Sequence, residues 1–339
     1  MTPTHAQTEG QPGRTLYPHV FAPISLGPVE IRNRIYMPPH GVPLEVGVPG
    51  YGPNGMPAAE LAYYYAERAA GGVGLIFHSM LVAPFAAWLG TPSSSPILPQ
   101  ALPSYARVAE AVHASGGAIM GQIWYHPGLT HLWEQGGPQA PQLSPSATQS
   151  FNMPSTRYAL RAEDLHHIVD VHRDAARNLL VCGYDGVELH VSHGMLLEAF
   201  LSPYFNRRTD DYGGSLANRS RLILEVLEAV KEVTQGGLAT GMRFTIDQML
   251  PGGWSEEGGQ EILHYLSRTG LLDFIDLDIA VEPEQHHLAI PPFSRAGCTM
   301  PNAWRVHAKP AAMCRCWRHR AGSPQSQKPR IFWHVASRM

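Results

Sequence analysis

The residues best suited to do chemistry are two histidines three positions apart, His190 and His193, within the run GVELHVSHG that starts at Gly186. Gly186 to His190 is a short apolar run ending in polar residues, the pattern of a buried parallel strand that delivers both imidazoles to its C-terminal end. Read by itself, H-x-x-H fits two chemistries: half of a metal site, with Asp247 or Glu198 as third ligand, or ordinary polar packing. The loop beyond carries Asp210, Asp211, Tyr212, Gly213 and Gly214, a turn composition in which both glycines can take positive φ. A helix is expected to start near Ser215.

The elements that position these residues follow a βα rhythm. Val29 to Met37 alternates and is β-branched, as a strand should be, and Pro38 and Pro39 stop it. Ala59 to Ala70 has helical periodicity, and Gly71 and Gly72 end it before a strand from Val73 to Phe77. Tyr63, Tyr64 and Tyr65 sit in this helix at a spacing that suits packing rather than an aromatic cage. A helix over Pro103 to Ser115 leads into a strand over Ala118 to Ile123 that carries Gln122 near its end. Leu129 to about Tyr158 reads as a long loop, a lid or a disordered segment. Ala162 to Val181 is helical, with Glu163 and Asp164 at its positive end. Arg221 to Val233 is a further helix, Ala239 to Phe244 a strand presenting Arg243, Glu257 to Thr269 a helix, and Asp273 to Asp278 a strand. These strands make about six βα units at the spacing of an α/β (β/α)₈ barrel, whose chemistry sits at the C-terminal ends of the strands.

The string HVSHGMLLEAFLSPYFNRRTDDYGGSLANRSR, from His190 to Arg221, resembles the signature of the Old Yellow Enzyme family of flavin oxidoreductases, and YYAERAAGGVGLI, from Tyr64, matches the same family. The resemblance implies a TIM (β/α)₈ barrel of the flavin oxidoreductase type, with FMN as cofactor, NADH or NADPH as reductant, and a small-molecule substrate such as an activated alkene or enone. It places Pro38, Pro39, His40 and Gly41 beside the flavin ring, Gln122 on its pyrimidine edge, and Arg243 by N1 and the C2 carbonyl, where positive charge stabilises the reduced anion. It makes His190 and His193 the clamp on a substrate carbonyl or nitro oxygen, and with that signature around them no metal is expected. The Pro-His pairing is similar to the branch of trimethylamine dehydrogenase and 2,4-dienoyl-CoA reductase. Three positions depart from the pattern. Gly41 stands where relatives place Thr or Cys, and Ala217 replaces the Glu of the motif's ending. Met195 occupies the position of a tyrosine that protonates substrate, which a thioether cannot do. Oxidative N-demethylation or dienoyl-thioester reduction therefore stands beside simple alkene reduction.

The 339 residues, 44% of them hydrophobic, suffice for one large barrel. A net charge of −3, from 25 basic and 28 acidic residues, offers no footprint for nucleic acid and no polybasic membrane patch. The polar, Pro- and Gly-containing start lacks the apolar core of a signal peptide, and four cysteines suggest no disulfide framework, so a cytoplasmic location is expected. Residues 1–14 read as a disordered tail, 15–293 as an incomplete FMN-binding barrel domain, and 294–339 as an aberrant tail with no strand period and no phosphate-binding glycine cluster. Cys298, Cys314, Cys316 and His319 do not match the spacing of a zinc or iron–sulfur site. A barrel short of two strands exposes edges, which invites homo-oligomer formation or leaves an inactive flavoprotein remnant.

Overall fold

The computed structural model describes residues 16–40, 56–82, 95–125, 142–147, 157–281 and 330–332. A one-turn helix α1 (Pro18–Phe21) precedes a hairpin of β1 (Ile24–Leu26) and β2 (Val29–Ile31), which pair antiparallel around Gly27. There follow β3 (Tyr36–Met37), α2 (Ala59–Ala70), β4 (Leu75–Leu81), a 3₁₀ turn (Pro99–Ala101), α3 (Leu102–Ala114), β5 (Ala118–Trp124), β6 (Gln142–Ser144), β7 (Arg157–Ala159) and α4 (Ala162–Val181). The rest is β8 (Gly186–Val191), α5 (Leu196–Leu201), α6 (Leu216–Thr234), β9 (Ala239–Thr245), α7 (Glu256–Ser267), β10 (Phe274–Asp278) and β11 (Arg330–Phe332). Seven strands make one sheet in the order β11-β10-β9-β8-β5-β4-β3, every adjacent pair parallel. This is the parallel α/β architecture of a TIM barrel, curled into a half-barrel with helices outside.

The helices form because their apolar residues fall on one stripe. Leu165, Ile168, His172, Ala175, Ala176 and Leu179 make the buried face of α4, and Leu222, Ile223, Val226, Leu227 and Val230 that of α6. Their starts are capped as the composition suggests. Asp164 accepts the Arg161 amide at 2.7 Å, and the Ser215 hydroxyl accepts the Asn218 amide at 3.2 Å. The strands are buried on both faces, as parallel strands between helices and a filled interior must be.

The sheet curls far enough for its far strands to touch. Tyr36 of β3 donates its hydroxyl to Asp276 of β10 at 2.8 Å, and the Phe77 and Phe274 rings lie 5.8 Å apart. The hairpin fills the end where strands begin: Leu26 and Ile31 pack with Leu75, Phe77, Met120, Ala239 and Phe274. That plug leaves the opposite, C-terminal end for polar groups. Tyr36→Phe removes a hydrogen bond between β3 and β10 and takes a donor from a buried carboxylate. It should cost about 1–3 kcal/mol in denaturant unfolding. An unchanged midpoint would mean that the curl does not depend on this contact.

Three expectations need correction. Val29 to Met37 is not one strand: Asn33 donates to the Gly72 carbonyl at 2.8 Å and accepts the Ile35 amide at 3.0 Å, which breaks the run into β2 and β3. The long loop contains two short strands, since β6 and β7 pair in parallel. The last segment is not free of strand structure, because Arg330–Phe332 pairs with Phe274–Asp276.

Candidate active site

Alternate residues of a strand face the same side, and the parallel register lines those residues up across strands. In β8 this puts Glu188 and His190 on one face. Register then places Gln122 of β5 beside Glu188, His190 beside Arg243 of β9, and Arg243 beside Asp276 of β10. Asp278 follows two residues later on the same face as Asp276. The polar groups of four strands thus converge where an α/β barrel keeps its chemistry.

The contacts are close. Arg243 Nε donates to Asp278 Oδ2 at 2.7 Å and lies 3.8 Å from Asp276 Oδ2. His193 Nε2 lies 2.6 Å from the same Asp278 oxygen, and Asp278 Oδ1 accepts the Ile279 amide at 2.8 Å. Gln122 Nε2 donates to Glu188 Oε1 at 2.8 Å. The two imidazoles meet edge to face at 5.1 Å, and Ser192 Oγ is 3.1 Å from His190 Nδ1. His193 has φ of 58°, a left-handed conformation rare outside glycine, and Gly194 continues it at 72°.

Burial and charge pull the groups in different directions. Burial opposes ionisation of Asp278, but the Arg243 and His193 cations overcome it and hold the carboxyl well below its usual range. Burial and the Asp276 charge push the Glu188 carboxyl up from its usual range, against the lowering effect of Arg243 and of the Gln122 hydrogen bond. Its Oε2 is buried with no hydrogen-bond partner among the described residues. Burial and Asp276 also raise the Tyr36 phenol, which stays a neutral donor.

His190, His193 and Arg243 therefore come together, and Gln122 joins them through Glu188. Pro38, Pro39 and His40 follow β3 at the same end of the sheet, with His40 Nε2 2.9 Å from the Tyr64 hydroxyl. Gly41 lies outside the described residues. Tyr65 is buried in the core and Tyr63 is exposed, while Tyr64 reaches toward the site through His40. Glu198 is not beside the histidines as a ligand: it accepts the Gly194 amide at 2.6 Å and the Gln248 side chain at 2.9 Å. Asp247 accepts the Met249 amide. Among the described residues no three His, Cys, Asp or Glu side chains are arranged to hold a metal ion. The groups that sequence reasoning missed are Tyr36, Glu188, Asp276 and Asp278. A carboxylate inside an otherwise apolar strand, as in GVELHV and FIDLDI, is the local signal for three of them.

Much of the long signature builds the wall instead. Asn206 donates to the Phe200 and Tyr212 carbonyls at 2.6 and 2.7 Å, and Arg208 to the Pro145 carbonyl at 2.9 Å. Arg219 donates to the Leu201 carbonyl at 2.7 Å, and Arg221 to that of Asp211 at 2.7 Å. Gly213 passes so close to the Arg208 backbone that no Cβ fits.

The family model for NADH:flavin oxidoreductase / NADH oxidase matches residues 19–267. The chain belongs to this family. Its members are FMN-dependent, NADH-linked oxidoreductases of the Old Yellow Enzyme kind. Among its relatives are the N,N-dimethylglycine/sarcosine dehydrogenase of Chromohalobacter salexigens, 33% identical over 75% of this chain and 36% of that protein. Another is 12-oxophytodienoate reductase 7 of Oryza sativa subsp. japonica, 34% identical over 62% of this chain and 54% of the reductase. In structure the chain is similar to morphinone reductase in complex with tetrahydroNAD, with a TM-score of 0.65 and 30% identity over 77% of this chain and 73% of that one. The chain spans between about a third and about half of the length of the curated relatives it first matches. No helix among the described residues is long and apolar enough to cross a membrane.

The cluster fits an isoalloxazine edge. Gln122 gives its amide nitrogen to Glu188, so its carbonyl oxygen is the atom it has for a ring N–H. Asp278 takes only Nε of Arg243, so the paired terminal nitrogens are not consumed by that contact.

Proposed function

We propose that this flavin-oxidoreductase family member binds FMN at the C-terminal end of its sheet and transfers hydride between NAD(P)H, the flavin and a small organic substrate such as an activated alkene or enone. The observation that carries the reading is the shared contact of His193 and Arg243 with Asp278, which brings a substrate-side imidazole and a flavin-side guanidinium within one ionic cluster. Bound there, FMN supplies the hydride chemistry. Gln122 orients the pyrimidine edge, Arg243 stabilises negative charge at N1 and the C2 carbonyl, and the backbone of Pro38, Pro39, His40 and Gly41 lines the ring. His190 and His193 polarise the substrate oxygen and stabilise enolate charge.

A second reading, oxidation of an N-methyl amine, is favoured by the Asp278 contact and by Met195. A histidine backed by a carboxylate accepts a proton readily, and a thioether at residue 195 gives none. The relative from Chromohalobacter salexigens is named for dehydrogenation of dimethylglycine and sarcosine.

The test is the visible spectrum of the purified chain before and after excess FMN and desalting. Retention of about one flavin per chain, bleached by NADH or NADPH, is the expected outcome. A chain that stays colourless after FMN addition would be a remnant without activity. Turnover of an enone rather than an N-methyl amine then separates the two readings.

A further inference from the structure

We propose that Glu198 is a positioning residue: its carboxylate fixes the left-handed His193–Gly194 turn, and through that turn the imidazole that meets the substrate. The inference rests on the oxidoreductase reading for its meaning, but its geometry stands apart from any cofactor.

Glu198 lies in α5, whose residues are all buried, and is itself fully buried. Nothing in a core helix calls for a carboxyl, and burying one costs free energy unless donors compensate. Here the donors are specific. The Gly194 amide reaches Oε2 at 2.6 Å, and Gln248 Nε2 reaches Oε1 at 2.9 Å. Gln248 is itself held, because its Oε1 accepts the Ser202 hydroxyl at 2.9 Å and the Trp254 amide at 3.3 Å. Glu198 thus ties the residue after His193 to a fixed network under β9.

The turn needs such a tie. His193 at φ 58° adopts a conformation that costs a non-glycine residue about 1 kcal/mol or more, and surrounding contacts must over-determine it. Asp278 holds the ring, and Glu198 holds the following amide. The turn is thus tied by two carboxylates through two separate contacts.

Burial raises the Glu198 carboxyl to about 7, against the lowering effect of Gln248, the Gly194 amide and the His193 charge. His193 is the charged group facing it from the loop, Gln248 is the neutral partner from the β9 side, and Arg243 and Asp278 lie beyond His193. Above about pH 7 both oxygens accept. Below it one oxygen carries a proton and accepts more weakly, so the turn loosens.

The experiment compares wild type with Glu198→Gln. An amide can accept from only one of the two donors and turns its own NH₂ toward the other. The first readout is hydrogen exchange at the Gly194 amide between pH 6 and 8, corrected for intrinsic exchange, on the chain with no flavin added. In wild type, protection should rise with pH around 7 by about tenfold, and in the variant it should stay low and flat. The second readout, on the FMN-loaded protein, is KM against kcat for NADH-driven reduction of 2-cyclohexenone. KM should rise about tenfold in the variant at pH 8 with little change in flavin content, and the gap should narrow at pH 6. Equal protection in both proteins, with no inflection near pH 7, overturns the inference. Failure to retain FMN would instead sink the oxidoreductase reading, and the amide measurement would still decide the role of Glu198.

Discussion

Replacing Arg243 by methionine should cost the fold about 3–5 kcal/mol, a large share of the roughly 5–15 kcal/mol available to a domain. The side chain is only 14% exposed and faces Asp278 at 2.7 Å and Asp276 at 3.8 Å, with Glu188 and the Tyr36 phenol also in its field. Methionine matches its volume, so the loss is electrostatic: two buried carboxylates keep only His193 as a counter-charge. The pH dependence identifies the cause. In wild type the Asp278 carboxyl is depressed, so its contribution is present above the unfolded value and is lost only as pH falls through the much lower folded value. In the variant the folded value rises, and protonation relieves the buried charge. The gap between the two proteins should therefore be widest near pH 7 and close as pH drops toward the ordinary carboxylate range. Urea unfolding at pH 7 and at pH 5 measures this. A gap that does not change with pH would mean that packing, not charge, is what Arg243 contributes.

That cluster also shows what the sequence could and could not disclose. His190, His193, Gln122 and Arg243 can be singled out in the sequence because each lies in or just after the C-terminal half of a strand in a recognisable run, and the helix bounds at Ala59–Ala70 and Ala162–Val181 follow from periodicity alone. Asp278 was read only as the end of a strand. Its role depends on β10 lying beside β9, and on the turn after β8 reaching across β9, which no local pattern encodes. The break between β2 and β3 was missed for a similar reason, since Asn33 is recruited by the Gly72 carbonyl, 39 positions away. Glu198 enters the sequence reading only as a possible third ligand of a metal that the signature argues against, whereas α5 carries it to the Gly194 amide. The motif's Asn206, Arg208 and Arg219 bond backbone carbonyls, so this part of the signature is structural. Sequence spacing discloses which residues sit at strand ends. Which charges then neutralise one another is set by the curl of the sheet.

The second large effect is expected on turnover. Asp278→Asn keeps the shape of the site, because the Asn carbonyl can still accept Arg243 Nε, which donates at 2.7 Å in wild type. What changes is His193. Its Nε2 lies 2.6 Å from a carboxylate oxygen in wild type, and a neutral amide would present NH₂ to that nitrogen in part of the population. The imidazole then loses both its fixed tautomer and the charge that favours its protonated form. Proton transfer by a positioned side chain is worth about 10²–10⁴-fold, so kcat should fall by that order while FMN content changes little, and the unfolding midpoint should also fall because the buried charge pair with Arg243 is lost. The direction of the pH shift also separates the two readings. If His193 must donate, as in alkene reduction, the activity that survives should be confined to lower pH than in wild type, because the variant imidazole holds its proton less tightly. If His193 must accept, as in amine oxidation, the surviving activity should extend to lower pH while its maximum falls, because the neutral base forms earlier but is weaker. A kcat within about threefold of wild type, with an unchanged pH profile, would remove His193 and Asp278 from proton transfer and leave the pair an ionic strut between β8 and β10.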